Sequence, residues 1–300
     1  MLSRALHYFL AVADQQSFTR AAAALYVSQP ALSQQIRLLE QQLAATLFDR
    51  SGRQIRLTPA GEAYLPYARR ALAQLQQGER SLRELDDLRR GALRLAFPPT
   101  LTASLIGPLV AEYHRAWPGI TLTLEEQSQE QSAQRLRHGE LDLAFGYAGG
   151  EHPQLNQQPL YEETLALVVN DRHPLAAATP CPLRALHDLP LALLDRSFAS
   201  RMEIDRCLQR HGIEPQIQLE SNAVSSLIAL VSHGELATLL PASLAVDRPM
   251  LCVRPLMPGV LMRTVVLLRA PQSPPSAAAL ALIDLLTHHL AQRALRPPGH

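Results

Sequence analysis

The chain has 300 residues, 28 basic against 27 acidic side chains, a net charge of +1, and 47% hydrophobic and 18% charged residues. That length exceeds one ordinary domain, and the balance excludes both a disordered chain and a surface that is basic throughout. Three scattered cysteines, Cys181, Cys207 and Cys252, form no CxxC, which excludes a disulfide scaffold or a cysteine zinc site and predicts a reducing, cytoplasmic setting.

In chain order, "MLSRALHYFLAVADQQ" carries an apolar stripe broken by His7 and Asp14, without the basic start and cleavage site of a signal peptide. No segment reaches the ~18 uninterrupted apolar residues of a membrane span, so no membrane partner is expected. Phe18, Ala21, Ala22 and Leu25 then repeat at i, i+3, i+4 and i+7, one face of a short helix that Ser17 is placed to cap. "YVS" breaks the pattern, and a second helix opens at Ser28 with Pro30 tolerated in its first turn. Leu32, Ile36, Leu39 and Leu43 share its buried face, opposite Pro30, Ser33, Gln34, Arg37 and Gln41. Two helices joined by so short a turn must cross steeply.

"LFDRSGRQIRLT" predicts a hairpin turning at Ser51-Gly52, which gathers Arg50, Arg53 and Arg56. Thr58-Pro59 is an N-cap followed by proline, and the helix it starts is expected to run to about Arg90. Leu65, Ala68, Leu72, Leu75, Leu82 and Leu85 stripe that helix. At ~1.5 Å per residue it would span roughly 45–50 Å, more than the small domain before it can cover, so it predicts dimerisation.

From Gly91 onward, "ALRLAF", "ITLTLEEQ", "LDLAFGY", "TLALVVN", "LPLALLD", "IQLESN", "ATLLP", "LCVRPL" and "TVVLLRA" read as strands. Helical patterns lie between them, among them Leu101 to Trp117, Ser200 to His211 and Ser276 to Ala294. The region is α/β with parallel sheet character and no fixed internal repeat.

The N-terminal pair suits DNA. Gln29, Ser33, Gln34 and Arg37 offer groups matched to base edges in a major groove, each good bidentate pair worth roughly 1–3 kcal/mol. Up to Ala60, Arg4, Arg20, Arg37, Arg50, Arg53 and Arg56 face Asp14, Glu40 and Asp49, a local excess of three positive charges. The helix pair by itself fits an ordinary helical hairpin with a solvated polar face equally well; the basic hairpin and projecting helix favour DNA. Enzymatic signals are poor: there is no GxGxxG, no GxxxxGK[ST] and no GxSxG. His288 and His289 are adjacent on a helix and cannot form an i, i+4 metal pair, so neither a catalytic nor a metal site is expected. The competing reading is a solute-binding or enzymatic α/β protein whose N-terminal helices only dimerise it.

"SFTRAAAALYVSQPALSQQIRLLEQQLAATLFDRSGRQIRLTPAGE" resembles the winged helix-turn-helix of the LysR-type transcriptional regulators. The family run Ser-x-x-x-Ala-Ala-x-x-Leu-x-x-Ser-Gln-Pro-Ala-Leu-Ser-x-x-Ile spans Ser17 to Ile36, Leu-Phe-x-Arg spans Leu47 to Arg50, and Leu-Thr-x-x-Gly spans Leu57 to Gly61. The resemblance implies an α/β protein of three parts: a winged helix-turn-helix over 1–58, a linker and dimerisation helix over 59–90, and a two-lobed periplasmic-binding-protein-like effector domain over 91–300. It places lobe 1 at about 91–160 and 264–295, and lobe 2 at about 161–263. DNA contacts are expected from Ser17, Ser28, Gln29, Pro30, Ser33, Gln34, Arg37, Arg50 and Arg53. Carried over by position, effector contacts come from Pro99, Thr100 and Thr102, from Ser128 and Gln129, from the "FGY" at Phe145 to Tyr147, and from Arg196, Ser197 and Phe198. Hydroxyls at a helix N-terminus suit a small anion, and plain N-capping is the alternative role for each. The resemblance implies no cofactor beyond a small-molecule co-inducer. Its partners are double-stranded DNA at a dyad-symmetric promoter site, RNA polymerase, and further copies of the chain, as a dimer through the linker helix and a tetramer. Pieces such as "GITLTLEEQSQE" and "RTVVLLRA" are most similar to regulators of cyanate operons, which makes cyanate, among small anions and carboxylates, a candidate co-inducer.

Overall fold

The computed structural model describes residues 2–51, 54–83, 90–149, 154–177, 179–245, 248–259, 261–271 and 274–295. Two compact units emerge, Met1–Leu85 with Arg137–Glu140, and Asp86–Leu136 with Leu141–His300.

The first unit runs α1 (Leu2–Gln15), α2 (Phe18–Ala24), α3 (Gln29–Gln42), β1 (Phe48–Asp49), β2 (Arg56–Leu57) and α4 (Pro59–Arg83). Ser17 and Ser28 are the N-caps of α2 and α3, their hydroxyls accepting from the amides of Arg20 and Ala31 at 3.3 and 3.4 Å. In the turn between those helices Tyr26 adopts φ 54°, which reverses the chain within a few residues. Ala21 and Ala22 are buried, and their small side chains let α2 approach the Leu32, Ile36 and Leu39 face of α3. Phe9 and Phe18 meet Phe48 at ring-centroid distances of 5.4 and 5.7 Å, fastening the hairpin to the helices.

The hairpin pairs Phe48 with Leu57 and Asp49 with Arg56. Thr58 caps α4 by accepting from Gly61 N at 3.0 Å, and donates its own hydroxyl proton to Thr46 O at 2.6 Å. The first turn of α4 lies so close to β1 that a β-carbon on Gly61 would fall 2.1 Å from Leu47 O, so only glycine fits there. Within its described span of 25 residues α4 is about 38 Å long. Of the stripe expected along it, Ala68 joins the core and Leu72 is also buried, while Leu75 and the neighbouring Tyr67 stay exposed. The expected last turns, with Leu85, lie outside the described residues, as does the side chain of Leu82.

The second unit contains β3 (Gly91–Phe97), α5 (Gly107–Ala116), β4 (Ile120–Glu126), α6 (Gln129–Arg137), β5 (Leu143–Tyr147), β6 (Asn156–Asn170), β7 (Cys181–Pro182), β8 (Pro190–Leu194), α7 (Ala199–Arg210), β9 (Gln216–Ser221), α8 (Val224–His233), β10 (Thr238–Pro241), β11 (Leu251–Arg254), β12 (Leu256–Met257), β13 (Met262–Arg269) and α9 (Ala277–Leu295). Before α5, a 3-10 turn at Pro99–Leu101 passes through a π-helical turn at Thr102–Ile106, where a helix from Leu101 was expected. The expected parallel character holds inside each lobe, where β3 pairs with β4 and β5, and β8 with β9. The strands that join the lobes instead run antiparallel, giving a mixed sheet ordered β10-β6-β13-β5-β3-β4.

β6 pairs with β13 up to Thr164, then with β10 from Leu165. The pairing of β6 therefore switches from β13 to β10 at Thr164–Leu165, a few residues past the lobe boundary placed near Leu160. Leu93, Leu95, Phe145, Val265 and Leu267 form the lobe 1 core with Leu109, Tyr113 and Leu282 from α5 and α9. Leu165, Leu167, Leu191, Leu193, Ile204 and Leu208 form that of lobe 2.

Candidate nucleic-acid interface and ligand cleft

On α3, Gln29, Pro30, Gln34 and Arg37 are exposed and Ser33 is half-buried, opposite the buried Leu32, Ile36 and Leu39. Gln29 Nε2 donates to Ser33 Oγ at 3.1 Å, linking two of the polar groups on that face. No acidic residue stands in the first turn of α2 or α3. Glu40, the acid nearest this face in sequence, is turned to the hairpin. Its Oε1 accepts from Leu47 N at 2.8 Å and Phe48 N at 3.2 Å, and its Oε2 accepts from Arg50 Nη2 at 2.8 Å. The Arg50 guanidinium also lies 5.0 Å from the centre of the Phe18 ring. Arg50, expected as a DNA contact, also fastens the hairpin through its pair with Glu40 while its side chain stays 32% exposed. Arg56 is exposed on β2, and Arg53 lies outside the described residues. As caps, Ser17 and Ser28 each use one hydroxyl lone pair to accept from a backbone amide, which leaves the hydroxyl proton available to donate. At the hairpin turn Asp49 accepts from Ser51 N and Ser51 Oγ at 2.9 and 2.7 Å, and the bond from the Ser51 amide is the main cause holding its carboxyl below the usual range.

Between the lobes lies a cavity of about 220 Å³. Of the residues named by position, Pro99, Thr100, Ser128 and Gln129 line it from lobe 1, and Ser197 and Phe198 line it from lobe 2. Tyr147, Ser200 and Asn222 line it as well. Tyr147 is the end of the "FGY" segment named from the sequence; Ser200 and Asn222 carried no signal. Three expected residues lie elsewhere. Phe145 is fully buried in the lobe 1 core, because β5 is covered on both faces and only its carboxyl end reaches the crevice. Thr102 hydrogen-bonds Glu126 and does not line the cavity. Arg196 has an 80% exposed side chain 3.8 Å from Asp205.

Gln129 lines the cleft, yet its amide is spent on the backbone. Its Oε1 accepts from Tyr147 N at 2.7 Å and its Nε2 donates to Tyr147 O at 2.9 Å. The clamp passes directly over Gly146, where a β-carbon would lie 2.7 Å from Gln129 Oε1. Tyr147 is thereby held with its hydroxyl 2.6 Å from Thr100 Oγ1, and burial pushes the phenol up to about 12, so it stays protonated. Ser128 Oγ accepts from Gln131 N at 3.3 Å, an N-cap role. Asp195 accepts from Ser197 Oγ at 2.5 Å and from Ser197 N at 2.9 Å; the hydroxyl bond is the main cause that keeps its carboxyl low. The first residues of α6 and α7, Gln129 and Ala199, both line the cavity, so two helix N-termini open on it. Among the described residues no cluster of His, Cys, Asp or Glu is placed to hold a metal, and no helix is long and apolar enough to cross a membrane.

These two sites fall on two family matches. Residues 3–62 match the bacterial regulatory helix-turn-helix protein, lysR family, and residues 86–291 match the LysR substrate binding domain. A probable RuBisCO transcriptional regulator of Cyanidioschyzon merolae is 35% identical over 237 residues, covering 76% of this chain and 78% of the relative. A full-length OxyR point variant from Pseudomonas aeruginosa has a similar structure, with TM-score 0.74 and 28% identity over 96% of this chain and 97% of that one. Full-length CbnR complexed with its target DNA is similar at TM-score 0.69 and 25% identity, covering 97% of this chain and 99% of that one. The reading in which the N-terminal helices only dimerise an enzyme is set aside by the first match, which covers those helices as a regulatory DNA-binding domain. The chain belongs to the LysR family: it is a ligand-responsive transcriptional regulator and not an enzyme.

Proposed function

We propose that α3 reads a major groove at a dyad-symmetric promoter site while the hairpin arginines meet the flanking backbone. Two chains pair through the exposed Tyr67 and Leu75 side of α4, and two such dimers act together as a tetramer in the cytoplasm, with RNA polymerase as the downstream partner. The observation that carries this reading is the division of α3 into a buried Leu32, Ile36 and Leu39 face and an acid-free Gln29, Gln34 and Arg37 face. Closing of the cleft on a small anion shifts the population between two arrangements of the assembly and so alters DNA bending. Two helix N-termini and the hydroxyls of Thr100 and Ser128 around about 220 Å³ support a small carboxylate or similar anion. Cyanate is one such anion; it rests on the short sequence likenesses, and the relative reported above is described instead as a RuBisCO regulator.

Gel-shift titration of the full chain against its own upstream intergenic region tests the DNA reading. Salt-sensitive binding at a dyad is expected. Arg37→Ala is expected to relax sequence preference, costing about 1–3 kcal/mol at the cognate site, whereas Arg56→Ala weakens all sequences alike. The opposite pattern overturns the groove assignment, and absence of a salt-sensitive dyad complex overturns the reading as a whole.

A further inference from the structure

Arg263 stands on β13 directly opposite Glu163 on β6, one residue short of the point where β6 leaves β13 for lobe 2. Both side chains are withdrawn from water, at 7% and 5% exposure, and the Arg263 Nε and Nη2 donate to Glu163 Oε2 at 2.8 and 2.5 Å. Burying such a pair is expensive, and an apolar pair across the same two strands would tie them at no such cost. What an apolar pair would lack is a charge set directly behind the cleft wall. Nη2 lies 3.5 Å from Thr100 Oγ1, and the guanidinium carbon sits 3.6 Å above the centre of the Tyr147 ring. The third nitrogen, Nη1, is buried and donates to nothing. Thr100 and Tyr147 are both walls of the cavity.

The cavity's helix N-termini favour an anion but supply only partial positive charge, and among the described residues that line it Glu126 is the charged one. We infer that Arg263 sets the charge selectivity of the cleft: it is the counter-charge for the ligand's anionic group, and Glu163 masks it until that group arrives. An anion seated at Thr100 competes with Glu163 for the guanidinium through a short, poorly screened path. Because the pair bridges the two strands that cross between the lobes, loosening it also delivers the ligand's charge to the hinge.

This inference rests on the cleft taking an anion, and the test separates the two. Thermal unfolding of the full chain is followed against sodium phosphate and sodium cyanate at constant ionic strength. The proteins compared are wild type, Thr100→Val, Glu163→Gln and the neutral double variant Glu163→Gln/Arg263→Gln. Unmasking the guanidinium in Glu163→Gln is expected to tighten the apparent affinity for these anions about tenfold or more. The double variant is expected to lose that gain and to respond less than wild type. If Thr100→Val removes a wild-type response but Glu163→Gln binds no tighter, the role of Arg263 is overturned and the cleft reading stands. If neither wild type nor Glu163→Gln responds to either anion, both are overturned. Should Glu163→Gln not fold, the comparison of wild type with the double variant decides, and equal anion affinity in those two refutes the assignment.

Discussion

Glu40 offers the sharpest test of how the hairpin is held beside α3. Its side chain is only 13% exposed, and it is the acceptor for the amides of Leu47 and Phe48, both buried residues, and for the Arg50 guanidinium. Glu40→Ala strands two buried amide donors at once, each costing about 1–3 kcal/mol. The Arg50 pair adds less than about 1 kcal/mol, because Arg50 is 32% exposed and screened by water. The total is about 2–7 kcal/mol. For a unit this small, each kcal/mol moves its unfolding midpoint by about 4–8 °C, so the N-terminal transition of the full chain should fall by about 10 °C or more. Glu40→Gln keeps the Oε1 acceptor and loses only the charge, so its cost should stay near about 1 kcal/mol. Scanning calorimetry reads the midpoint, and hydrogen exchange at Leu47 and Phe48 reads the two amides. If Glu40→Ala melts with wild type and both amides keep their protection, the bracket described here does not hold the hairpin.

Two further outcomes follow from the second unit. In Gly146→Ala the new β-carbon displaces the Gln129 amide and meets Leu268 Cδ1 at 3.0 Å, so the clamp on Tyr147 is lost. Ligand-dependent transcription should disappear at a cost of about 2–4 kcal/mol in lobe 1 stability, with DNA affinity intact; retained ligand response would refute the clamp's role. Burial holds the His173 imidazole below its ordinary value of 6.5. The unfolded chain therefore binds that proton first, so stability is full above about pH 6.5 and falls as pH drops from there toward the lower folded value. The urea midpoint of lobe 2 should lose part of its acid sensitivity in His173→Gln, where the side-chain oxygen can still accept from Leu175 N as the imidazole does at 3.1 Å. Identical slopes between about pH 7 and 5 would remove His173 from the account.

How much of this was legible in the chain differs between the two units. The helix-turn-helix could be read residue by residue because its determinants are local. Ser17 and Ser28 cap within three residues, Pro30 sits in a first turn, and Leu32, Ile36 and Leu39 repeat at helical spacing. The strands of the second unit announced themselves by short apolar runs, but the first half of β6, "NQQPLYEE", did not. Its strand exists because β13 pairs with it, a partner about a hundred residues away, and no local pattern encodes that.

The sequence by itself determined the acid-poor face of α3, the family, the alternation of strands and helices, and most of the polar residues around the cleft. Tertiary structure alone decided what those residues are free to do. Arg50 and Gln129, named from the sequence as DNA and effector contacts, each also meet an internal partner, Glu40 in one case and the Tyr147 backbone in the other. Phe145 shares its motif with Tyr147, yet only the residue at the strand's carboxyl end opens on the cleft. In the sequence Arg263 marked only a lobe boundary; its place beside the cleft comes from Glu163 across the strand pair and from Thr100 nearby. A side chain's type and spacing are written in sequence, but its hydrogen-bonding capacity is claimed by whichever group folding brings nearest, and that competition is settled only in three dimensions.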